Sequence, residues 1–307
     1  MAEISILLLT KNGRHDLEQL LPAVFRQQVR GRRNEFEVIA VDSGSTDGTV
    51  ELLQQYPVQL RQIPAEEFHH ARTRNLAASL ASGEILVLLS QDALPTSDCW
   101  LHSLIANFSD PRVAAVYGRQ FPKTGSSLER QDALDAVYGA QKMVKDPTER
   151  NGLGYRFYHF SDVNAALRRS VWEQHPFPED LKVFEDLGIA KRILDGGWKI
   201  VYEPEAAVFH SHHHTTVGLL KRYFDIGYTL KVLRIWDAPE TRTSLLRDAG
   251  KLLKRKLTRA QNGESRQQAR HGLGQDVAKS VGLFLGLNQN CLPLVLKRRL
   301  SAYGVFE

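Results

Sequence analysis

In the first third of the chain, short apolar runs alternate with stretches whose apolar residues recur every three to four positions. Residues 4–9 form the first run, which stops at Thr10-Lys11-Asn12. Residues 36–41 form the second and stop at Asp42, and residues 85–89 form the third and stop at Ser90-Gln91-Asp92. Runs this short, rich in Ile, Val and Leu, read as buried strands. Between the first two, residues 15–28 place Leu17, Leu20, Leu21, Val24 and Phe25 on one helical face. Further helices are predicted over residues 49–55, 71–81 and 100–107, with extended segments at 58–63 and 113–117.

Strands separated by helices imply right-handed crossovers, hence an α/β fold with a Rossmann-like, mostly parallel central sheet flanked by helices. Ligands of such sheets bind outside the carboxyl ends of the strands, so the three polar stops should converge on one crevice. The pattern loosens after residue 118. A helix is predicted at 128–143, followed by a loop-rich stretch containing Gly152, Gly154, Tyr155, Tyr158 and His159. Segments 162–171 and 184–194 come next, then a strand at 199–202 after the helix stop Gly196-Gly197, and a helix at 217–235. Asp237-Ala238-Pro239 marks a boundary, because the residue before a proline is pushed out of the helical region. The expected organisation is one domain over 1–236, divided into a regular half (1–118) and a less regular half (119–236). A helical C-terminal extension then occupies 237–307.

Charge sharpens the view of that extension. The chain of 307 residues has a net charge of +5, yet residues 241–307 hold 13 Lys and Arg against 4 Asp and Glu. The body is therefore slightly acidic and the tail strongly basic, so the tail should meet something anionic. Residues 245–259 combine an apolar stripe (Leu245, Leu246, Leu252, Leu253, Leu257) with dense Lys and Arg. That combination fits an interfacial helix at an anionic membrane, or equally a helix packed on the body with its charges solvated. The basic residues are not interleaved with aromatics, so no nucleic-acid partner is expected. Two distant cysteines, Cys99 and Cys291, suit a reducing cytoplasm, and no run reaches the length of a membrane span.

Several polar clusters carry candidate chemistry. Asp42-Ser43-Gly44-Ser45-Thr46-Asp47-Gly48 leaves a buried strand and enters a helix, with Asp47 as its prospective N-cap. A carboxylate there can accept hydrogen bonds from a ribose or base, or serve only the turn itself. Asp92 could hold a divalent cation through oxygen, or simply end its strand before Leu94-Pro95. In His210-Ser211-His212-His213-His214, alternate side chains of an extended segment share a face and could ligate a metal. Glu185-Asp186 opens a helix, where acidic residues favour the dipole or where one could act as a base. Arg72 and Arg74 stand at another helix start, and arginine forks suit phosphate.

Taken together these segments resemble family 2 inverting glycosyltransferases of GT-A fold. The 42–49 turn is similar to that family's DDGSxDxT turn, Ser90-Gln91-Asp92 falls where it has a DxD motif, and Glu185-Asp186 where it has ED. Phe68-His69-His70-Ala71-Arg72-Thr73-Arg74-Asn75 resembles the F-x-H-G-x-T-R-N stretch of bacterial rhamnosyltransferases, and Leu89–Pro95 their L-T-Q-D-A-x-P. His210-Ser211-His212 and Arg222-Tyr223-Phe224-Asp225-Ile226-Gly227 resemble their H-S-H and R-Y-F-D-x-G segments. Ser90 replaces the first acidic residue of DxD and Ala71 replaces a glycine.

The resemblance implies inverting transfer of a sugar, rhamnose from dTDP-rhamnose, to a saccharide or lipid-linked saccharide during surface-polysaccharide synthesis. It implies Asp186, with Glu185 beside it, as the catalytic pair, and Thr10, Asn12, Asp42, Ser43, Arg72, Arg74, Ser90 and Gln91 around the nucleotide sugar. Mg²⁺ or Mn²⁺ would be held by Asp92 with His210 or His212. A cytoplasmic enzyme, in possible peripheral contact with an anionic inner membrane face, completes the expectation. The rival readings are a sugar-phosphate nucleotidyltransferase, for which Thr10-Lys11-Asn12-Gly13-Arg14 is a thin version of the loop needed, and a nucleic-acid-binding module built on the basic tail.

Overall fold

The computed structural model describes residues 3–29, 32–33, 36–126, 128–149, 153–212, 214–243 and 266–306. The basic helix expected at 245–259 and His213 lie outside the described residues. The chain divides into two compact units, one of 1–149, 160–179 and 185–211, the other of 150–159, 180–184 and 212–307.

The first unit is built on a nine-stranded sheet. In chain order its elements are β1 (Ile4–Thr10), α1 (Arg14–Phe25), β2 (Phe36–Asp42), α2 (Thr49–Leu53), β3 (Val58–Gln62), α3 (His70–Leu80) and β4 (Ile85–Ser90). There follow β5 (Leu94–Pro95), α4 (Trp100–Ile105), β6 (Val113–Phe121), α5 (Leu128–Val137), β7 (Met143–Lys145), β8 (Asn164–Arg168), α6 (Arg169–Gln174), α7 (Glu185–Asp195) and β9 (Lys199–Phe209). The strand order is β3-β2-β1-β4-β8-β6-β9-β5, with β7 also on β9.

The first four strands are parallel and in register, so Thr10 lies beside Asp42, and Leu9 beside Ser90. All the polar stops therefore fall on one edge. Strands β1, β2 and β4 are mostly apolar because both faces are covered, whereas the edge strand β3 exposes Gln59, Arg61 and Gln62. Ile6, Leu8, Val38, Ala40, Val87 and Leu89 face α1 and α4, where Leu17, Leu20, Leu21, Trp100 and Leu104 are fully buried. Helix α3 packs over β1 and β2 on the other side, where Leu7 and Ile39 are buried.

Beyond β4 the sheet is mixed. Strand β8 runs antiparallel to both β4 and β6, whereas β9 returns parallel to β6. The residues that precede β8 thus reach the same edge as the carboxyl ends of β1, β2 and β4. Asn164 secures this junction, accepting from Trp100 Nε1 at 2.8 Å and donating to the Ala206 carbonyl at 2.8 Å. Strand β9 is longer than the 199–202 read from sequence, because an irregularity between Glu203 and Val208 absorbs Pro204 and lets pairing resume. The helix read over 128–143 ends at Val137, and Met143–Lys145 pairs with β9 instead. Segment 162–171 is strand β8 followed by the start of α6. Helix α2 is capped at Gly48 rather than Asp47, and the Asp47 carboxylate accepts from the N–H and hydroxyl of Thr49.

The second unit contains a short helical turn (Tyr155–Tyr158), α8 (Thr216–Val232), α9 (Arg266–Leu287) and α10 (Leu294–Leu300). Thr215 caps α8 by accepting from the N–H of Gly218 at 3.0 Å. Helices α8 and α9 touch backbone to backbone. A Cβ at Gly282 would stand 2.2 Å from the Leu220 carbonyl oxygen, and one at Gly286 2.0 Å from that of Phe224. The Arg222–Gly227 segment holds the chain's end. Asp225, fully buried, accepts through Oδ2 from the N–H groups of Ala302 (2.8 Å) and Tyr303 (3.2 Å), and Arg222 donates to the Tyr303 hydroxyl at 2.5 Å. No helix among the described residues is long and apolar enough to cross a membrane.

Candidate active site

Three strand-end loops are tied together at the edge of the first unit. The buried Asp42 carboxylate accepts through Oδ1 from the N–H groups of Gly44 (3.1 Å) and Ser45 (2.9 Å). Through Oδ2 it accepts from the hydroxyls of Thr10 (3.0 Å) and Ser45 (2.5 Å). With four donors Asp42 organises the turn. Asn12, in the left-handed region at φ 46°, donates its N–H to Ser45 Oγ (2.8 Å) and accepts the N–H of Thr46 at Oδ1 (2.9 Å). Lys11 Nζ donates to the carbonyls of Ser43 (2.7 Å) and Gly44 (2.6 Å). Gln91 reaches across from the end of β4, its amide accepting from Lys11 N–H (3.0 Å) and donating to Lys11 C=O (3.1 Å). Gly13 makes room for this bridge, since a Cβ there would lie 2.3 Å from Gln91 Oε1.

These loops border a cleft of about 200 Å³, lined on its polar side by Thr10, Ser43, Arg74, Ser90, Gln91 and Asp92. Leucines of β1 and β4 form its apolar side, and Phe68 and His70 enter from the segment that starts α3.

Of the lining residues, Asp92 has Oδ1 3.5 Å from His210 Nε2 and Oδ2 3.6 Å from Lys123 Nζ. His210 is buried, and its Nδ1 is 3.0 Å from Gln120 Oε1. Gln120 is itself oriented, its Nε2 donating to the hydroxyls of Tyr138 (2.7 Å) and Ser161 (2.9 Å). An acceptor oxygen opposite Nδ1 requires the proton on Nδ1. In the neutral ring the Nε2 lone pair then turns toward the Asp92 carboxylate. A carboxylate oxygen and an oriented imidazole nitrogen form a donor set that a divalent first-row cation accepts.

Arg74 belongs both to the cleft wall and to a buried carboxylate cluster. Its Nε lies 2.7 Å from Asp162 Oδ2 and its Nη1 2.6 Å from Glu185 Oε1. His70 Nδ1 is 3.8 Å from the same Glu185 oxygen. Asp186 follows at the first turn of α7, where its Oδ1 accepts from the N–H of Leu187 at 2.7 Å. Burial, reinforced by the charges of Asp162 and Glu185, pushes the Asp186 carboxyl well above the usual carboxylate range. Burial also raises Asp162, to about 6, although Arg74 opposes it. His70 is held down to about 4 by burial and then by Arg74, so it is neutral at pH 7.

The glycosyl transferase family 2 profile matches residues 5–175, more than half of the chain. The chain belongs to glycosyl transferase family 2. It is 33% identical over 228 residues to the O-antigen chain rhamnosyltransferase RfbN of Salmonella typhimurium, covering 73% of this chain and 71% of that protein. It is 37% identical over 193 residues to the O-antigen chain rhamnosyltransferase WbaN of Salmonella anatum, covering 62% and 61%. Among solved structures it resembles the mannosyltransferase PcManGT of Pyrobaculum calidifontis, determined with GDP-Man and Mn²⁺. The TM-score there is 0.59 at 20% identity, over 92% of this chain and 87% of the other. Staphylococcus aureus TarS (1–349), solved with UDP, aligns at TM-score 0.56 and 18% identity over 73% and 64%. At such identities the likeness establishes the GT-A fold and nothing finer.

Within this glycosyltransferase the residues singled out from sequence take distinct positions. Thr10, Ser43, Arg74, Ser90, Gln91 and Asp92 line the cleft. Asn12 and Asp42 stand behind it, bonded into the turn. Arg72 is exposed, with Nε 3.7 Å from a Glu179 carboxylate oxygen. Glu185 is paired with Arg74, whereas Asp186 has its proton affinity raised. His210 meets Asp92 inside the first unit, and His212 is the first residue of the second. Three residues went unnoticed in the sequence: Asp162, Gln120 and Lys123. Asp162 stands two residues before β8, Gln120 lies near the end of β6 and Lys123 two residues past it, places akin to those that marked Asp42 and Asp92. They were obscured because β8 runs antiparallel and β6 is longer than the 113–117 read from sequence.

Proposed function

We propose that this glycosyltransferase transfers rhamnose from dTDP-rhamnose, with inversion, to a hydroxyl of a saccharide or lipid-linked saccharide during O-antigen or related surface-polysaccharide synthesis. The rhamnosyltransferase relatives support the donor, and one observation carries the mechanism. Arg74 is common to the cleft wall and to the carboxylate cluster, so a sugar seated in the cleft has the base beside it. In this reading Thr10, Ser43, Ser90 and Gln91 seat the nucleotide, and Asp42 and Asn12 keep their loops in shape.

Asp186, with its raised proton affinity, accepts the proton of the acceptor hydroxyl. The hydroxyl oxygen forms its bond to the anomeric carbon as the bond from that carbon to the diphosphate oxygen breaks. The electron pair leaves with the nucleoside diphosphate. Arg74 fixes Glu185 and Asp162, whose negative charges keep Asp186 basic. Asp92 and His210, with His212 two residues along the chain, would hold Mg²⁺ or Mn²⁺, which would supply positive charge against the donor diphosphate.

A donor screen tests the reading. Purified protein is mixed with dTDP-rhamnose, UDP-sugars and GDP-sugars in Mn²⁺, and thermal stabilisation and nucleoside diphosphate release are followed. Stabilisation and dTDP release with dTDP-rhamnose alone is the expected result. A preference for another nucleotide sugar would replace the donor. Pyrophosphate release from an NTP and a sugar phosphate would replace the reaction.

A further inference from the structure

Helix α9 carries an apolar stripe on the side turned away from its packing partner. Gly282 and Gly286 press against the backbone of α8, which fixes the rotation of α9 about its own axis. Leu273, Val277, Val281 and Phe284 are nevertheless 51%, 54%, 41% and 64% exposed. At 100° per residue these four side chains fall within a sector of about 80°. In the same unit, helix α10 exposes Leu294, Val295 and Leu296 in succession, with Lys297, Arg298 and Arg299 in its last turn. A single exposed leucine needs no explanation, but a helix-length row of them does.

We propose that this face of the second unit is a membrane-docking surface, with α9 lying in the plane of an anionic lipid interface. Two observations choose lipid as the occupant. Residues 266–306 contain six Lys and Arg and a single acidic residue, Asp276, so the region offers cationic and apolar groups together. That pairing is the recognition chemistry of an interfacial helix on anionic headgroups. A second copy of the chain would bring two equally cationic surfaces into contact, and like charge opposes such pairing. Helix α9 has 22 residues but is not apolar enough to cross a membrane, so the geometry is contact along the surface. Asp276, the one acid, has Lys279 Nζ 3.2 Å from its carboxylate and does not oppose an anionic partner. The assignment stands apart from the identity of the sugar donor, and its test uses no donor.

The test is flotation of the full-length protein with phosphatidylcholine vesicles containing graded phosphatidylglycerol, at low and high salt. Binding should rise with phosphatidylglycerol content and fall with salt. Phe284→Asp and Val277→Asp should each weaken partitioning at least tenfold. Replacing Lys297, Arg298 and Arg299 together by Gln should weaken it and flatten the salt dependence. Val144→Asp, a control at an exposed valine of the first unit, should bind as the parent does. Circular dichroism and melting checks confirm that each variant is folded. Equal binding to neutral and anionic vesicles, or undiminished binding by folded Phe284→Asp, would overturn the proposal. So would a stable dimer in sedimentation equilibrium that Phe284→Asp dissociates, since a second copy would then be the occupant.

Discussion

Replacing Arg74 by Met keeps the length of the side chain and removes its charge from between two buried carboxylates. Nε and Nη1 stand 2.7 Å from Asp162 and 2.6 Å from Glu185, and all three side chains are about nine-tenths buried. At those separations and an effective dielectric near 20, each attraction is about 6 kcal/mol before desolvation is counted. Desolvation is not recovered when one partner is deleted, because the carboxylates stay buried. The net loss on breaking such a buried pair is about 3–5 kcal/mol.

The pH dependence has a definite sign. Asp162 already titrates near 6 with Arg74 present, and Arg74 acts to lower it, so the variant's carboxyl titrates higher still. A carboxyl whose folded pKa is raised leaves stability intact below its unfolded value, near 4, and costs stability as pH rises through the folded value. The Arg74→Met deficit should therefore be largest at pH 8. At pH 5 it should be smaller by at least about 1.4 kcal/mol, the equivalent of one pKa unit. Urea unfolding of parent and variant, followed by tryptophan fluorescence at both pH values, measures this, and adding Asp162→Asn should restore part of the loss at pH 8. A deficit under about 1 kcal/mol at pH 8, or one equal at both pH values, would show that the arginine does not hold the cluster together.

The other expectations concern catalysis, metal and packing. Asp186→Asn should fold and bind donor while turnover falls roughly 100-fold or more, with Glu185→Gln doing less; the reverse order in a steady-state transfer assay would move the base by one residue. The acid limb of the parent's pH–rate profile should lie well above pH 4, because Asp186 is pushed up. Asp162→Asn removes one of the charges that raise it, so the limb should shift to lower pH; a limb that stays put separates the two carboxyls. Gln120→Leu should weaken Mn²⁺ binding roughly 10-fold or more in a titration of free Mn²⁺ by electron paramagnetic resonance, since the His210 ring loses its orienting partner; unchanged affinity in the folded variant would remove Gln120 from the site. Gly286→Leu should cost about 1–3 kcal/mol or more by wedging α9 away from Phe224, seen as a lowered melting temperature; a neutral effect would mean that the close approach is dispensable.

The parallel half of the sheet was legible because β1, β2 and β4 are each mostly apolar, short and ended by a polar residue. That pattern marked Thr10, Asp42 and Asp92 together, and the register of β1 with β2 and β4 explains why. The mixed half was not legible for a directional reason. In a parallel strand the functional residue follows the apolar run, but β8 is antiparallel, so Asp162 and Asn164 stand at the same edge by preceding or opening theirs. Read with the parallel rule, they point to the wrong end of the sheet. In β9, Pro204 hid the strand's continuation to Phe209 and with it the reason why His210 arrives beside Asp92.

Glu185 and Asp186 show a second limit, since adjacent acids on one helix turn have the same pattern and nearly the same intrinsic acidity. Only the placement of a distant cation distinguishes them. Arg74 bonds Glu185 directly, while burial and two negative neighbours raise Asp186. The same arginine thus holds one acid in an ion pair and leaves its neighbour unpaired with it, and an acid with raised proton affinity is the kind that the proposed general-base transfer from an acceptor hydroxyl needs near neutral pH.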